Sequence, residues 1–421
     1  MQFLSVAFAT SLALASISTP AQVALSLDAA FARTLDAHPD LAVFGFTEAG
    51  LRAEAERASL KPPLTIGGSV ENALGTGESE ALRSAELTVS LSSVLERGDK
   101  RAARMALVQS RIDAIGSTRE AKRLDLLAEV ARRYLDVLAA QLAAGIAVDD
   151  IGQRKRAVAA AVRRVQAGAS PRSVQLAAQA HEVRAELDRD RAQREFIAAW
   201  RRLALLWGEQ DASPGVLREA RLQIPAAPEF SEILALLERT PELQRFADEA
   251  RLREARLQLA RTARTPDLEW EVGLRRLQES SDWGLIGSVS VPLGSASRTG
   301  PDIRAAEAEL AALEFERESS ERSLQSTLAQ AHGRLVASAA DARAIRDELI
   351  PLLTKGENAA AEAYNAGALS YLEWAQLQSE TTLVRRQQLN ATVEAQRALI
   401  EIQRLTGEDF TRAEAKVPRH E

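Results

Sequence analysis

Four short segments of this 421-residue chain alternate apolar and polar side chains. In the clearest of them, Leu87 and Val89 alternate with Thr88 and Ser90, and a period of two places the two sets on opposite faces of a β-strand. Glycines make two of the other segments less regular. The predicted strands are 64–72, 84–95, 267–275 and 283–293. Each is close to the length, about 9 to 11 residues, that crosses a bilayer core at a tilt.

Much longer segments have the spacing of amphipathic helices. Apolar residues recur at steps of four and three, as in Leu127, Ala131, Tyr134 and Leu138, which is typical of a coiled-coil seam. Further predicted seam positions are Leu176, Ala180, Val183 and Leu187 in the first half, and Leu324, Leu328, Ala331, Leu335, Ile345, Leu349 and Leu352 in the second. This pattern predicts long antiparallel helical hairpins rather than compact globular domains.

Each long helical region is interrupted once by a short turn. The first turn covers 167–171 and the second covers 366–370, about 200 residues later. Glycine suits the end of a helix because it tolerates a left-handed backbone, and Pro171 suits the first turn of the helix that follows. The sequence therefore predicts two hairpins whose tips lie at the same end of the molecule, far from the strands.

The recurrence of these features indicates a tandem duplication. LDAHPDLAVF, which begins at Leu35, matches LERTPELQRF, which begins at Leu237. The helices containing these motifs are predicted over about 26–59 and about 231–262, and prolines between the halves predict a linker. The resulting boundaries are repeat 1 at 22–211, a linker at 212–230, repeat 2 at 231–409 and a C-terminal tail at 410–421.

The N-terminus and the composition restrict the class of protein. An apolar run from Phe3 to Ile17, followed by small residues, has the pattern of a secretory signal peptide, predicted over 1–21; a buried N-terminal helix is the alternative. A net charge of −6 provides no electrostatic footprint for nucleic acid. The absence of cysteine excludes disulfides, thiolate metal sites and cysteine nucleophiles.

Strands that face lipid need a closed sheet, because an open edge in hydrocarbon leaves backbone groups unpaired. Two copies of the chain would give about eight strands with a filled interior, whereas three copies would give about twelve strands and leave a passage. We therefore expect a homotrimer that contacts membrane lipid, with Trp270 and Trp283 at the membrane interface. On alternation alone, a soluble antiparallel sheet with one wet face is the alternative.

The order of these motifs resembles the outer membrane efflux protein family, the TolC-like channels. The resemblance rests on HPDL and TPEL in the first helix of each repeat, on the strand pairs, on the two tips and on GED at Gly407. It implies a mainly α-helical fold, with a trimeric twelve-stranded transmembrane barrel continued by a periplasmic helical tunnel. It also implies a passive efflux conduit in the outer membrane of a Gram-negative bacterium. The implied partners are a periplasmic adaptor protein and an inner-membrane RND-type pump. Within the family, the chain resembles the CzcC-like branch that serves heavy-metal efflux.

The resemblance also implies functional positions. The family's periplasmic constriction falls on Tyr364, Glu373 and Gln376, and a basic residue that latches some members closed falls on Leu369. Three copies of Glu373 near a symmetry axis would raise one another's pKa and favour cations; a solvated surface acid is the alternative. The implied adaptor-docking residues are Gly168, Ala169, Ser170, Pro171, Arg172, Gly367, Ala368 and Leu369. The glycines alternatively serve only the turns.

No catalytic, cofactor or metal site is predicted. The four histidines are scattered, and HEVRA at His181 lacks the second histidine that a helical zinc site requires. Neither a phosphate-binding loop nor a nucleophile elbow occurs. Two other functions stay open as alternatives, namely an outer-membrane channel for type I protein secretion and a soluble periplasmic coiled-coil adaptor.

Overall fold

The computed structural model describes residues 24–77, 80–219 and 221–410, so the predicted signal peptide and residues 411–421 lie outside the described part. The first repeat contains α1 (Leu27–Ala37), α2 (Pro39–Ser59), β1 (Thr65–Glu71), β2 (Glu86–Leu95), α3 (Lys100–Asp113), α4 (Ile115–Gln166) and α5 (Arg172–Ala204). The second contains α6 (Phe230–Leu236), α7 (Pro241–Thr262), β3 (Leu268–Leu277), β4 (Trp283–Ser290), α8 (Ser295–Arg298), α9 (Gly300–Ala344), α10 (Ile350–Ala366) and α11 (Tyr371–Thr406). Among the described helices, none has both the length and the apolar character needed to cross a membrane.

Each repeat begins with two helical pieces where the sequence predicts one. In the first repeat, His38 lies between α1 and α2 in an extended conformation. In the second, Thr240 separates a 3₁₀ turn from α7 in the same way. Pro39 and Pro241 follow these residues, and a proline disfavours the helical conformation for the residue before it. The prediction of continuous helices over 26–59 and 231–262 is therefore wrong.

The four strands form one antiparallel sheet in the order β1-β2-β3-β4, so both repeats contribute to it. Val89 pairs with Leu274, and Leu274 pairs with Leu285, which collects apolar residues of three strands on one face. Thr88 pairs with Arg275 on the opposite, polar face. β1 and β4 are the two edges of this sheet, and each lacks a partner strand on one side.

Most strand ends differ from the prediction by one to three residues, and two of these differences have a clear cause. β3 continues past 275 to Leu277, because β2 still runs opposite it and Leu277 pairs with Glu86. β4 ends at Ser290 rather than at 293, because Pro292 has no N–H with which to continue the ladder.

The long helices pack side by side in the order α5, α4, α11 and then α9 with α10. α4 and α11 form the centre of this helical layer, and α5 and α9–α10 form its two sides. The segment between the repeats runs along the layer, where the Gln396 and Arg343 side chains each donate a 2.8 Å hydrogen bond to one of its carbonyls. Phe410, at the start of the predicted tail, packs on Phe31 with ring centroids 5.9 Å apart.

α5 meets α4 through alanines rather than through the predicted seam. Along most of α5 the buried residues are alanines one heptad apart, namely Ala178, Ala185, Ala192 and Ala199, and Trp200, Leu203 and Ala204 are buried at its end. Leu176, Val183 and Leu187 are instead 55%, 55% and 59% exposed, and Ala180 is exposed as well. Small side chains let two helix axes approach closely, so the alanine stripe takes the contact with α4. The predicted seam of α5 is wrong, and the residues Leu176, Val183 and Leu187 form an outward stripe.

A π-helical turn at Ile345–Leu349 changes the face that the second hairpin presents. Such a turn adds a residue to the helix and rotates everything that follows. Leu349 and Leu352, which the sequence predicts in the seam, are therefore exposed, while Ile345 stays half-buried.

Glycines with a left-handed backbone recur at equivalent positions of the two repeats. The pairs are Gly98 with Gly294, Gly168 with Gly367, and Gly208 with Gly407. The first pair follows the second strand of each repeat, the second pair lies at the hairpin tips, and the third pair follows the helix that returns from each tip. The duplication seen in the sequence therefore extends to the backbone.

Candidate functional site at the hairpin tips

Both hairpin tips are tight turns around a left-handed glycine. Gly168 has a φ of 68° and Gly367 a φ of 86°. In each turn the residue after the glycine donates its N–H to a carbonyl in the last helical turn. Pro171 is the N-cap of α5 rather than part of its first turn. Of the predicted docking residues, Ser170 and Leu369 are half-buried and the exposed ones are Gly168, Ala169, Pro171, Arg172, Gly367 and Ala368.

An aromatic cluster joins the two tips. The Tyr364 ring centroid lies 5.2 Å from that of Trp374 and 6.1 Å from that of Tyr371, and all three side chains are buried. The guanidinium of Arg164 lies 5.0 Å from the Tyr364 ring centroid and donates a hydrogen bond to the Tyr364 carbonyl. The cluster thus links α4 to both helices of the second hairpin. Tyr364 is only 2% exposed, so in the single chain it packs beneath the tip instead of lining a surface.

Glu373 and Gln376 lie on the exposed face of α11 near its start. Glu373 forms a capping box with Ser370, whose Oγ and N donate to Glu373 Oε2 at 2.7 and 3.1 Å. These hydrogen bonds, the one from the Ser370 hydroxyl first, lower the pKa of Glu373. In the single chain the pKa of Glu373 is therefore lowered, because the capping box favours the charged carboxylate. Three adjacent copies of Glu373 are expected to raise it.

A buried polar network joins the two hairpins behind the tips. Arg154 and Asp150 of α4 have side chains only 6% and 8% exposed, and Arg154 Nε lies 3.2 Å from Asp150 Oδ1. Arg154 also donates to Gln378 Oε1 at 3.3 Å and to Ser379 Oγ at 3.1 Å, and Thr382 Oγ1 donates to Asp150 Oδ1 at 3.0 Å. Both charges are therefore paired and hydrogen-bonded across the contact between α4 and α11.

His181 of α5 lines a groove of about 240 Å³ beside this network. Burial lowers the pKa of His181, and the positive charges of Arg154 and Arg184 add to the effect against a smaller opposing contribution from Asp150. Its ring centroid lies 6.2 Å from that of Tyr371. The histidine therefore connects the charged network to the aromatic cluster.

The two tryptophans predicted at a membrane interface lie on the apolar face of the sheet. Trp270 pairs with Val289 near the end of β3 that leads to the helices, and Trp283 pairs with Arg276 near the opposite end. Trp283 is 64% exposed, whereas Trp270 is half-buried. About 20 Å of strand separates the two levels.

Sequence reasoning missed the polar network and the capping box. Asp150 and Arg154 are four residues apart with opposite charge, which normally indicates an exposed helical pair. The SYLE run at Ser370 does carry the signature of a capping box, and it could have identified that role of Glu373. Within the described residues, no cluster of three or more histidine, aspartate or glutamate side chains is arranged to hold a metal ion.

The chain matches the family model for the outer membrane efflux protein over residues 32–209 and 233–408, one stretch in each repeat. It is 27% identical over 323 residues to the cobalt-zinc-cadmium resistance protein CzcC of Cupriavidus metallidurans, which covers 76% of this chain and 77% of CzcC. Crystal structures of CusC superpose with a TM-score of 0.74 at 18% identity, covering 92% of this chain and 93% of CusC. The outer-membrane channel OprN superposes with a TM-score of 0.73 at 18% identity, covering 91% of this chain and 90% of OprN.

Proposed function

Because this chain belongs to the outer membrane efflux protein family, we propose that it forms the outer-membrane channel of a tripartite system that exports heavy-metal cations. Members of the family are trimeric channels that work with adaptor proteins and inner-membrane pumps, and they are not enzymes. The chain accordingly lies in the outer membrane of a Gram-negative bacterium, with its helices in the periplasm. The observation that carries the proposal is the family match along both repeats.

Three copies would complete every edge that one copy leaves open. The unpaired sides of β1 and β4 require partner strands in hydrocarbon. In the helical layer, the outward stripe lies on one side and the exposed Leu352 of α10 lies on the other. A rotation that brings α5 of one copy against α9–α10 of the next makes a heterologous contact that closes into a ring. These edges support the trimer.

The cargo is the more specific part of the proposal. CzcC is a cobalt-zinc-cadmium resistance protein, and its similarity to this chain extends over most of both sequences. This similarity supports a heavy-metal cation as the cargo.

Cells that lack the gene should lose tolerance of Co²⁺, Zn²⁺ and Cd²⁺, and the wild-type gene should restore it. Growth inhibition measured for these ions and for a set of organic drugs checks the cargo. Restored tolerance of the drugs alone would contradict it.

The exposed Glu373 is the residue through which the pore would favour cations. Three carboxylates around the axis would present negative charge to the passage, and Gln376 lies one turn further on the same face. Tyr364 would support this ring from within the aromatic cluster. We expect Glu373→Gln to lower the cation preference of the purified channel in planar bilayers.

Ser370→Ala provides the control for the capping box, because it removes the cap hydroxyl and keeps the carboxylate. Cation selectivity that does not change in Glu373→Gln across a pH series would remove the proposed role. Loss of selectivity in Ser370→Ala to the same extent would assign the effect to the cap.

The exposed tip residues form the proposed surface for the adaptor. Arg172 is exposed at the start of α5, beside the first tip. Reversing its charge with Arg172→Glu should abolish export while trimers remain in the membrane. Lys155→Glu, at an exposed position of α4 farther from the tip, is the matched control. Retained export in Arg172→Glu would exclude docking through this residue.

A further inference from the structure

Two adjacent arginines near the end of β3 lie on opposite faces of the sheet. Arg275 belongs to the polar face, because it pairs with Thr88. Arg276 belongs to the apolar face, because it pairs with Leu87. Arg275 Nη1 lies 2.7 Å from Glu86 Oε2, its Nη2 lies 3.2 Å from Glu71 Oε2, and its Nε donates to Thr88 Oγ1 at 3.0 Å. The polar face therefore provides its arginine with anionic partners.

Arg276 has no anionic partner in the part of the chain that the structure describes. Leu87 pairs with it on β2 and Trp283 pairs with it on β4. Its guanidinium carbon lies 5.7 Å from the centroid of the Trp283 ring, and its Nε is buried without a hydrogen-bond acceptor among the described residues. The acids of the following turn, Glu279 and Asp282, are exposed and form no ion pair with it. A buried donor such as this Nε is costly while it lacks an acceptor, and an anion bound by the guanidinium would supply one.

This pair lies at the end of the sheet that faces away from the helices. The turn 278–282 follows Arg276 directly, whereas the other ends of β3 and β4 continue to α7 and α8. With the helices in the periplasm, the turn lies on the side of the outer leaflet. The outer leaflet of a Gram-negative outer membrane is built largely from a phosphorylated glycolipid, so phosphate groups lie close to this end of the sheet.

We propose that Arg276 and Trp283 form a binding site for the phosphate headgroup of this outer-leaflet glycolipid. A guanidinium matches a phosphate with two parallel N–H···O hydrogen bonds. The Trp283 ring holds the guanidinium by a cation–π contact, and a tryptophan is suited to the boundary between apolar chains and polar headgroups. The inference rests on the outer-membrane placement of the proposed channel, and each copy would contribute one such site to the assembled barrel.

The test measures lipid bound to purified full-length channels by native mass spectrometry. Wild type, Arg276→Gln and Arg276→Lys are titrated with bisphosphorylated lipid A and with its dephosphorylated form, and a third series adds inorganic phosphate as a competitor. Arg83→Gln is the matched control, because Arg83 is an exposed arginine in the loop at the same end of the sheet. We expect Arg276→Gln to bind bisphosphorylated lipid A about tenfold more weakly than wild type. Arg276→Lys should lie between them, and Arg83→Gln should match wild type.

Several outcomes would overturn the site. Equal binding by Arg276→Gln and wild type would do so, as would equal binding of the dephosphorylated lipid by wild type. An equal loss in Arg83→Gln would indicate diffuse charge at the rim, and full displacement by inorganic phosphate would indicate a free-phosphate site. Conductance of the same samples in planar bilayers separates this result from the proposed function, because Arg276→Gln should conduct like wild type.

Discussion

Replacing Arg154 by methionine should loosen the contact between the two hairpins. The change keeps an unbranched apolar side chain but removes the guanidinium, and it leaves Asp150 buried with only Thr382 as a hydrogen-bond donor across the contact. Breaking a buried ion pair by removing one partner costs about 3–5 kcal/mol. A cost of about 3 kcal/mol reduces the ratio of packed to separated hairpins by more than a hundredfold.

Hydrogen exchange measured by mass spectrometry on the purified channel would detect this loosening. We expect faster exchange in Arg154→Met for backbone amides of α11 around Gln378, because local opening there becomes easier. Arg156→Met is the matched control, since Arg156 is exposed on the same helix. Replacing Asp150 by leucine as well should restore part of the protection, because an apolar pair avoids the uncompensated buried charge. Exchange in Arg154→Met that equals wild type would refute the assignment of this network as the link between the hairpins.

Three further predictions test other parts of the molecule. Gly98→Ala should lower the free energy of unfolding by about 1–3 kcal/mol in thermal denaturation, because Gly98 has a φ of 74° and an added Cβ would lie 2.7 Å from Thr265 Cβ; an unchanged melting curve would contradict this. The stability of the helical part should fall as pH drops below about 6.5 toward the lowered pKa of His181, because the unfolded chain binds the proton more readily; His181→Gln should remove that slope, and a wild-type melting temperature independent of pH would contradict it. Leu187→Lys should shift the detergent-solubilised protein from trimer toward monomer on native gels, since burying a leucine contributes about 1.5–3 kcal/mol; a full yield of trimer would show that the outward stripe lies outside the subunit contact.

The sequence identifies the family and the fold class, and the comparisons confirm both. Alternation in the strands is a local property, so Leu87 and Thr88 indicate their faces without knowledge of the partner strands. The hairpin turns are equally local, because the left-handed glycines, Gly168 and Gly367, determine where each limb ends. These features are predictable because neighbouring residues fix them.

The parts that sequence reasoning missed depend on which helix lies opposite. α5 carries two apolar stripes with helical spacing, and the spacing alone does not reveal that Ala185 faces α4 while Leu187 faces outward. In the sequence, Asp150 and Arg154 have the spacing of a solvated ion pair, but in the structure α11 covers both side chains. Tertiary packing therefore decided each of these positions.

The central claim is that three copies complete the sheet and the helical ring that one copy leaves open. Native mass spectrometry of the detergent-solubilised processed protein tests this most directly. The account predicts a complex of three chains that conducts ions when it is placed in a planar bilayer. A protein that is monomeric and stays in solution without detergent would contradict it.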